Sequence, residues 1–485
     1  MTSTDAAGPA AEVDPAAARH AQRTLAVAGM AVLITFLDTT VLFVAFPDIT
    51  ASFSEASPSS LSWVLNGYTI AFAALLVPAG KLADRLGHKR VFLLGTALFT
   101  LGSAACAAAP GVALLNAFRV VQAVGAAAVI PASLALVMRA FPRDRLPVAV
   151  AIWGAMGAAA GAVGPTLGAV IVESVGWRWV FLINVPIGIG IIAIGSRILR
   201  ESRDPEARVP ALVGAVLIAL VAALASYAVV QTPDWGWVDP RTLGTFGLAA
   251  ALLIGFVAHQ QRTEAPVLDL ELLSIPNYRW ANVATFAFGV AFTAMFLGSL
   301  LFLEEAWGYS TLKAGLGVTP GPLLVAVLAP RFGKLAGRIG QRPLLVAGGL
   351  VYATAGAWRV LSLSDHPAYL RDFFPTMVLT GLAVALVLPQ LASTVAQSLP
   401  PERGGVGGGA NQAIRQFGGT LGVAFTLALV TQQAAGSSLL DRFDRVWMVL
   451  VVGGILTSAA ALGIGRRTEA DAEAAAPSPV IAVAD

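Results

Sequence analysis

The chain has 485 residues, 57% of them hydrophobic and only 12% charged, where an ordinary soluble domain is about 25% charged. So few charges cannot cover a water-facing surface of this size, and a formal net charge of +3 does not describe a nucleic-acid binder. A single cysteine, Cys106, rules out an intramolecular disulfide and leaves no basis for a thiolate metal cluster.

Residues 1–24 are an Ala-rich tail carrying Asp5, Glu12 and Asp14. The tail lacks the basic start, apolar middle and cleavage site of a secretory signal, so it is expected to be disordered and the first apolar segment to be a permanent helix. Crossing the hydrocarbon takes about 20 apolar residues. Such segments follow at 25–46, 61–79, 91–109, 112–138, 146–172, 178–198, 209–230 and 242–259. Six more lie at 279–303, 312–332, 343–363, 373–398, 407–433 and 446–465, making fourteen. Of these, 242–259 is short and 407–433 opens in the glycine-rich GGVGGGANQ. A second disordered tail is expected over 468–485.

Lys and Arg collect on the cytoplasmic side of membrane helices. With a cytoplasmic N-terminus, 21 of the 31 basic residues fall on that side and six on the far side; Arg119, Arg279, Arg359 and Arg415 lie in or at the edge of spans. Both termini are therefore expected in the cytoplasm. The 27 arginines against four lysines, with much Ala and Gly, look like a GC-rich bacterial genome; the expected location is the bacterial cytoplasmic (inner) membrane.

GKLADRLGHK (80–89) and GKLAGRIGQR (333–342) align without a gap and share six of ten positions. Each follows the second span of its set if spans 1–6 and 9–14 form two six-helix halves. The expected architecture is thus an all-α membrane protein: a bundle over 25–198, an inserted pair over 209–259 and a second bundle over 279–465. Internal repeats of this kind mark transporters whose halves rock around a central site.

These motifs resemble the major facilitator superfamily, specifically its fourteen-helix drug–proton antiporters. GKLADRLGHKR is similar to the loop motif after the second helix, LDTTVLFVAFP to the first-helix motif and NAFRVVQAVGAA (116–127) to the arginine motif of the fourth helix. GPTLGAVIVESVGWRWVFLINVPIG (164–188) resembles the fifth-helix antiporter motif with the loop and sixth helix after it. Two departures stand out: the closing Gly-Gly is Gly168-Ala169, and Gly337 replaces the acid in the second loop.

Asp38 lies fifteen residues after Arg23, about 22 Å along a helix and so deep in the bilayer. A central Asp costs roughly 2.5–3.5 kcal/mol on translocon scales, and intramembrane acids usually face a cavity on an ion or substrate path. Burial disfavours the charged carboxylate and a cation beside it favours it. The expected rule is that Asp38 takes a proton when the cavity is empty and releases it when cargo binds. Asp38→Asn should then abolish export and leave the fold intact. Arg119 needs an acid, a carbonyl or a watery cavity; the resemblance implies a part in proton relay, with no partner assignable.

Gly80, Asp84, Arg85, Gly87 and Arg90 lie in the first repeat loop, where the resemblance implies a latch on the cytoplasmic side. Asp84 is expected to face a helix N-terminus. Gly157, Gly161, Gly164, Pro165 and Gly168 share the fifth span; small residues at this spacing let helices approach and proline kinks them. The resemblance implies that they seal that helix against its partner in the other half. Asn411 and Arg415 share a helix face and, with Gln416, are open to two readings, an inner gate or ordinary anchoring. Glu173, Glu304 and Glu305 at outer span ends are likewise read as solvated or proton-handling.

One central negative charge suits a monocation or a neutral amphiphile. Trp63, Tyr68, Gln122, Trp153 and Phe286 are the aromatic and amide groups available to line a cavity. The partners expected are a small amphipathic substrate, protons and the lipid bilayer, with no nucleic acid, no metal, no cofactor and a monomer as the working unit. At roughly 2.3 kcal/mol per charge per 100 mV and about 1.4 kcal/mol per tenfold, one proton sustains roughly a 40-fold gradient of neutral cargo. With no P-loop and no deep histidine, an enzyme is not expected. Export of a lipid or an endogenous metabolite on the same fold, or less readily a channel, remains the alternative.

Overall fold

The computed structural model describes residues 15–142, 145–203, 212–264, 266–399, 404–431 and 438–465. They fold into fourteen main helices, and no strand occurs among the described residues. In chain order the first six are α1 (Pro15–Ser52), α2 (Pro58–Leu86), α3 (His88–Ala108), α4 (Val112–Ala140), α5 (Leu146–Val175) and α6 (Trp179–Ile198). The pair α7 (Leu212–Val230) and α8 (Pro240–Arg262) follows. The last six are α9 (Pro276–Ala306), α10 (Thr311–Ile339), α11 (Gln341–Ser362), α12 (Tyr369–Gln397), α13 (Gly404–Thr431) and α14 (Leu439–Leu462). Thirteen are long and apolar enough to cross a membrane unbroken; α5 makes the fourteenth, bent by 41° between Gly161 and Val163. Pro165 explains the bend, because it offers no N–H to the Gly161 carbonyl and its ring crowds that turn.

The protein is a multi-pass membrane protein with two equivalent halves. In the first, α1 packs on α4, α5 and α6, α2 on α4, and α3 on α4 and α6. In the second, α9 packs on α12, α13 and α14, α10 on α12, and α11 on α12 and α14. The pattern repeats with a shift of eight helices, as the two loop sequences require. The halves meet along α2–α13 and α5–α10, which are symmetric partners, and along α1–α9.

The glycine-rich start of α13 does not prevent a helix, and farther along its glycines serve packing. A Cβ on Gly418 would come 2.6 Å from the Phe286 carbonyl, and one on Gly289 2.8 Å from the Arg415 carbonyl. Helices α9 and α13 therefore touch backbone to backbone. The inserted α7 lies across the α2–α13 seam, with Ala215 against Val77 of α2 and Val229 and Val230 against Ala424 and Ala428 of α13.

One expectation is corrected. The segment 1–24 is helical from Pro15 onward, because AAARHAQR is rich in helix-favouring residues and Pro15 suits a first helical position. Residues 1–14 and the tail 468–485 lie outside the described residues.

Candidate functional site

Asp38 of α1 lies inside the first half with its carboxylate fully engaged. Arg119 of α4 donates from Nη1 to Oδ2 at 2.5 Å, and both side chains are 1% exposed. Gln122, one turn farther along α4, donates from Nε2 to Oδ1 at 2.8 Å, and Asn184 of α6 donates to the same oxygen at 3.0 Å. Ser103 of α3 accepts from Gln122 at 3.2 Å and from Asn184 at 3.0 Å, and donates to the Phe181 carbonyl at 2.9 Å. The guanidinium is fixed by the Val64 carbonyl of α2 at 3.1 Å, by the Gln122 amide oxygen at 2.7 Å and by the Tyr68 ring, 4.1 Å away. Five helices thus converge on one charge pair.

Local sequence explains the convergence. Arg119 and Gln122 are three apart and share a face of α4. A Cβ on Gly102 would come 2.9 Å from the Gln122 backbone, so α3 can bring Ser103 close only because residue 102 is glycine. Two buried charges compensate their lost hydration only when geometry is good and spare hydrogen-bonding capacity is filled. Here the carboxylate accepts three such bonds, while Asn184 Oδ1 is buried without a donor.

The sequence reading placed Asp38 at an open cavity and left Arg119 without a partner. The structure corrects the first and supplies the second: each is the other's counter-ion, sealed from solvent. Tyr68 and Gln122, expected to line a cavity, belong to this cluster. Trp153 donates to the Ser133 hydroxyl at 3.0 Å and fastens α5 to α4, and Trp63 is half-buried. Phe286 alone of the five is exposed, on the α9 face that carries Val283.

On α5, Gly164 and Gly168 seat the helix on α1. A methyl on Gly164 would overlap the Thr40 hydroxyl, and one on Gly168 would come 3.0 Å from Val41. These two contacts lie within a turn of Asp38. The neighbouring residues of α5 close the seam with α10: Thr166 and Thr319 hydroxyls are 2.7 Å apart, and Glu173 accepts from the Leu312 N–H at 2.9 Å. A Cβ on Gly315 of α10 would come 2.7 Å from the Ala169 methyl. The glycine missing from position 169 therefore reappears across the seam. Gly161 has open space around it, so the expected five-to-partner seal is made by Pro165, Thr166 and Ala169. Glu304 is half-buried and Glu305 exposed near the same end.

In the first repeat loop Asp84 pairs within its own half, with Lys81 at 3.9 Å and His88 at 3.1 Å. The acid at the helix N-terminus is Glu201, which the sequence did not single out. Its two oxygens accept from the Lys89 and Arg90 N–H groups at 3.0 and 3.1 Å, capping α3. Gly87, at φ 114°, lies directly under this carboxylate, leaving no room for a side chain. Gly80 rests on Pro131, with a built Cβ 3.2 Å away, while the Arg85 and Arg90 side chains are exposed.

Asn411 donates to Asn282 at 3.0 Å and Thr285 at 2.9 Å, both on α9 of the same half, and so ties α13 to α9. Arg415 is half-buried. A further charge, placed in a span by the sequence but given no role, is Arg359, fully buried between Ser299, Thr376 and the Trp447 ring. Its only signal in sequence was an arginine inside an apolar span. Among the described residues no cluster of His, Cys, Asp and Glu is disposed to hold a metal.

Two equivalent six-helix halves, meeting along symmetric seams and enclosing a sealed charge pair in one of them, define a secondary transporter. The chain belongs to the Major Facilitator Superfamily, whose family model matches residues 28–423. It is 35% identical to the multidrug resistance protein Stp of Mycobacterium tuberculosis (strain CDC 1551 / Oshkosh), over 83% of this chain and 74% of that one. It is 35% identical to the cephamycin export protein CmcT of Amycolatopsis lactamdurans, over 86% of both. The tetracenomycin C resistance and export protein of Streptomyces glaucescens is 33% identical, over 87% of this chain and 78% of that one. Among solved structures, the peptide transporter POT in complex with sulfate superposes with a TM-score of 0.65 at 15% identity, covering 92% of this chain and 95% of that one. At that identity the likeness concerns the fold.

Proposed function

We propose that the protein exports small amphipathic or lipophilic compounds, drugs and antibiotics among them, in exchange for protons. It does so by alternating access across the bacterial cytoplasmic membrane, with both termini inside and one chain as the working unit. The names of the relatives support the cargo class. The observation that carries the proton is the sealed Asp38–Arg119 pair. Protonating Asp38 cancels its attraction for Arg119 and strands a buried cation, which this packing tolerates poorly. Asn184 Oδ1, buried without a donor, is an acceptor suited to the neutral acid once its amide turns over.

The proton also has a short route to the seal. Thr40 and Val41 follow Asp38 by two and three residues and bear Gly164 and Gly168; Pro165, Thr166 and Ala169 between and beside those glycines hold α10. A shift of α1 on protonation therefore loosens the α5–α10 seam, after which cargo leaves on the far side. Asp84, paired inside its own half in this state, serves as the cytoplasmic latch once the halves rock the other way. The test is export from proteoliposomes under an imposed pH gradient, followed with a fluorescent amphiphile. Export should need the gradient and be accompanied by proton uptake in the opposite direction; export that ignores the gradient overturns the reading.

A further inference from the structure

With Asp38 neutralised by Arg119, the charge that the halves offer a passenger comes from α13. One side of this helix, Ala424, Phe425 and Ala428, is covered by the inserted pair, Trp237 stacking on Phe425 at 6.4 Å. A second side meets α2: the Thr420 hydroxyl is 2.8 Å from that of Thr69, and a Cβ on Gly409 would lie 3.4 Å from Val77. A third, Asn411, Gly418 and Gly422, is pressed on α9. At about 100° per residue, the side left over carries Gln412 and Gln416, with Arg415 and Gly419 at its α9 edge, where a Cβ on Gly419 would come 3.1 Å from Thr293. It lies between the α2 and α9 sides, away from the inserted pair, and so is turned to the space between the halves.

All four of these residues are half-buried, neither packed away nor on the outer surface. Arg415 makes no hydrogen bond or ion pair with any described residue, and Gln412 Nε2 is a buried donor without an acceptor. Among the described helices, the acids other than Asp38 lie toward helix ends. A lone arginine within a membrane-spanning helix is costly unless it faces a cavity, a partner or the interface. Two unpaired donors on one face call for an acceptor that the chain itself does not provide.

We propose that the space between the halves takes an anionic amphiphile, a carboxylate or similar acceptor on a lipophilic body, with Arg415 as counter-charge and Gln412 as a neutral donor beside it. This names the cargo class of the export reading, and it replaces the monocation expected when Asp38 was taken to be open. A cationic passenger would meet a like charge at this face.

The test is binding of three pyrene probes to the purified full chain: 1-pyrenebutyric acid, its methyl ester and 1-pyrenebutylamine share one ring system and differ in charge. The acid should bind about tenfold or more tighter than the amine, with the ester between. Arg415→Gln should erase the acid's advantage and Arg415→Lys should keep the order. An amine that binds as well as the acid, or an order unchanged in Arg415→Gln, overturns the proposal. If Arg415→Gln does not fold, the probe series on the unaltered chain and on Arg415→Lys still decides. Proton-driven export of neutral or cationic dyes without acid preference sinks the anion site and leaves the export reading standing; acid binding without export does the reverse.

Discussion

Removing the charge of Asp38 tests the site most directly, because the structure shows what is left behind. In Asp38→Asn the guanidinium keeps the Val64 carbonyl at 3.1 Å and the Gln122 oxygen at 2.7 Å but no counter-ion. Breaking a buried pair from one side costs about 3–5 kcal/mol, whereas removing both charges is often close to neutral. Asp38→Asn and Arg119→Gln should therefore each lower thermal stability in detergent by several kcal/mol, and the double variant should regain most of it. The coupling between the two sites is expected to be at least about 3 kcal/mol. This replaces the sequence-based expectation that Asp38→Asn leaves the fold untouched. Transport in proteoliposomes then separates the roles: the double variant should be stable and inactive in proton-driven export. An Asp38→Asn protein that melts with the parent, or a double variant weaker than either single one, would refute the pairing.

Three other outcomes are expected. Thr166→Cys with Thr319→Cys, in a chain whose own Cys106 is buried, should cross-link on oxidation and stop export until reductant is added; full export from quantitatively cross-linked protein would remove the α5–α10 seam from the cycle. Glu201→Ala uncaps α3 and should cost about 1 kcal/mol, read as faster hydrogen exchange at residues 89 and 90, with Glu201→Gln milder; unchanged exchange would dismiss the cap. Asp84→Asn weakens the half-exposed Lys81 pair and keeps an oxygen for the buried His88 ring, so melting should move by less than about 1 kcal/mol while export slows; undiminished export would dismiss the latch.

Much of this was legible in the sequence because membrane insertion writes itself in composition. Spans of about 20 apolar residues and the duplicated loop gave the helix number and the two halves directly. Residues whose meaning depends on a neighbour far along the chain were less readable. Asp38 and Arg119 are 81 positions apart, and nothing local to either announces the other. Asn184 and Ser103 were hidden for the same reason. Glu201 carries no local signal of its role, which exists only because the fold brings it to the start of α3. Of the glycines expected to seal α5 against the other half, Gly164 and Gly168 instead bear on α1, Gly161 has open space around it, and the contact with α10 passes to Ala169 and Gly315.

The inserted pair gives the molecule two unlike flanks. Helix α7 bridges α2 and α13, so that seam wears a strap on its lipid side. Among the described residues the opposite seam, α5–α10, has none: it is pinned near Thr166 and Thr319, and farther along a Cβ on Gly161 or Gly333 would meet nothing within 4 Å. A compound dissolved in the bilayer therefore finds one shuttered side and one unshuttered side. Rocking of the halves, hinged at the strap, would widen the unshuttered one first.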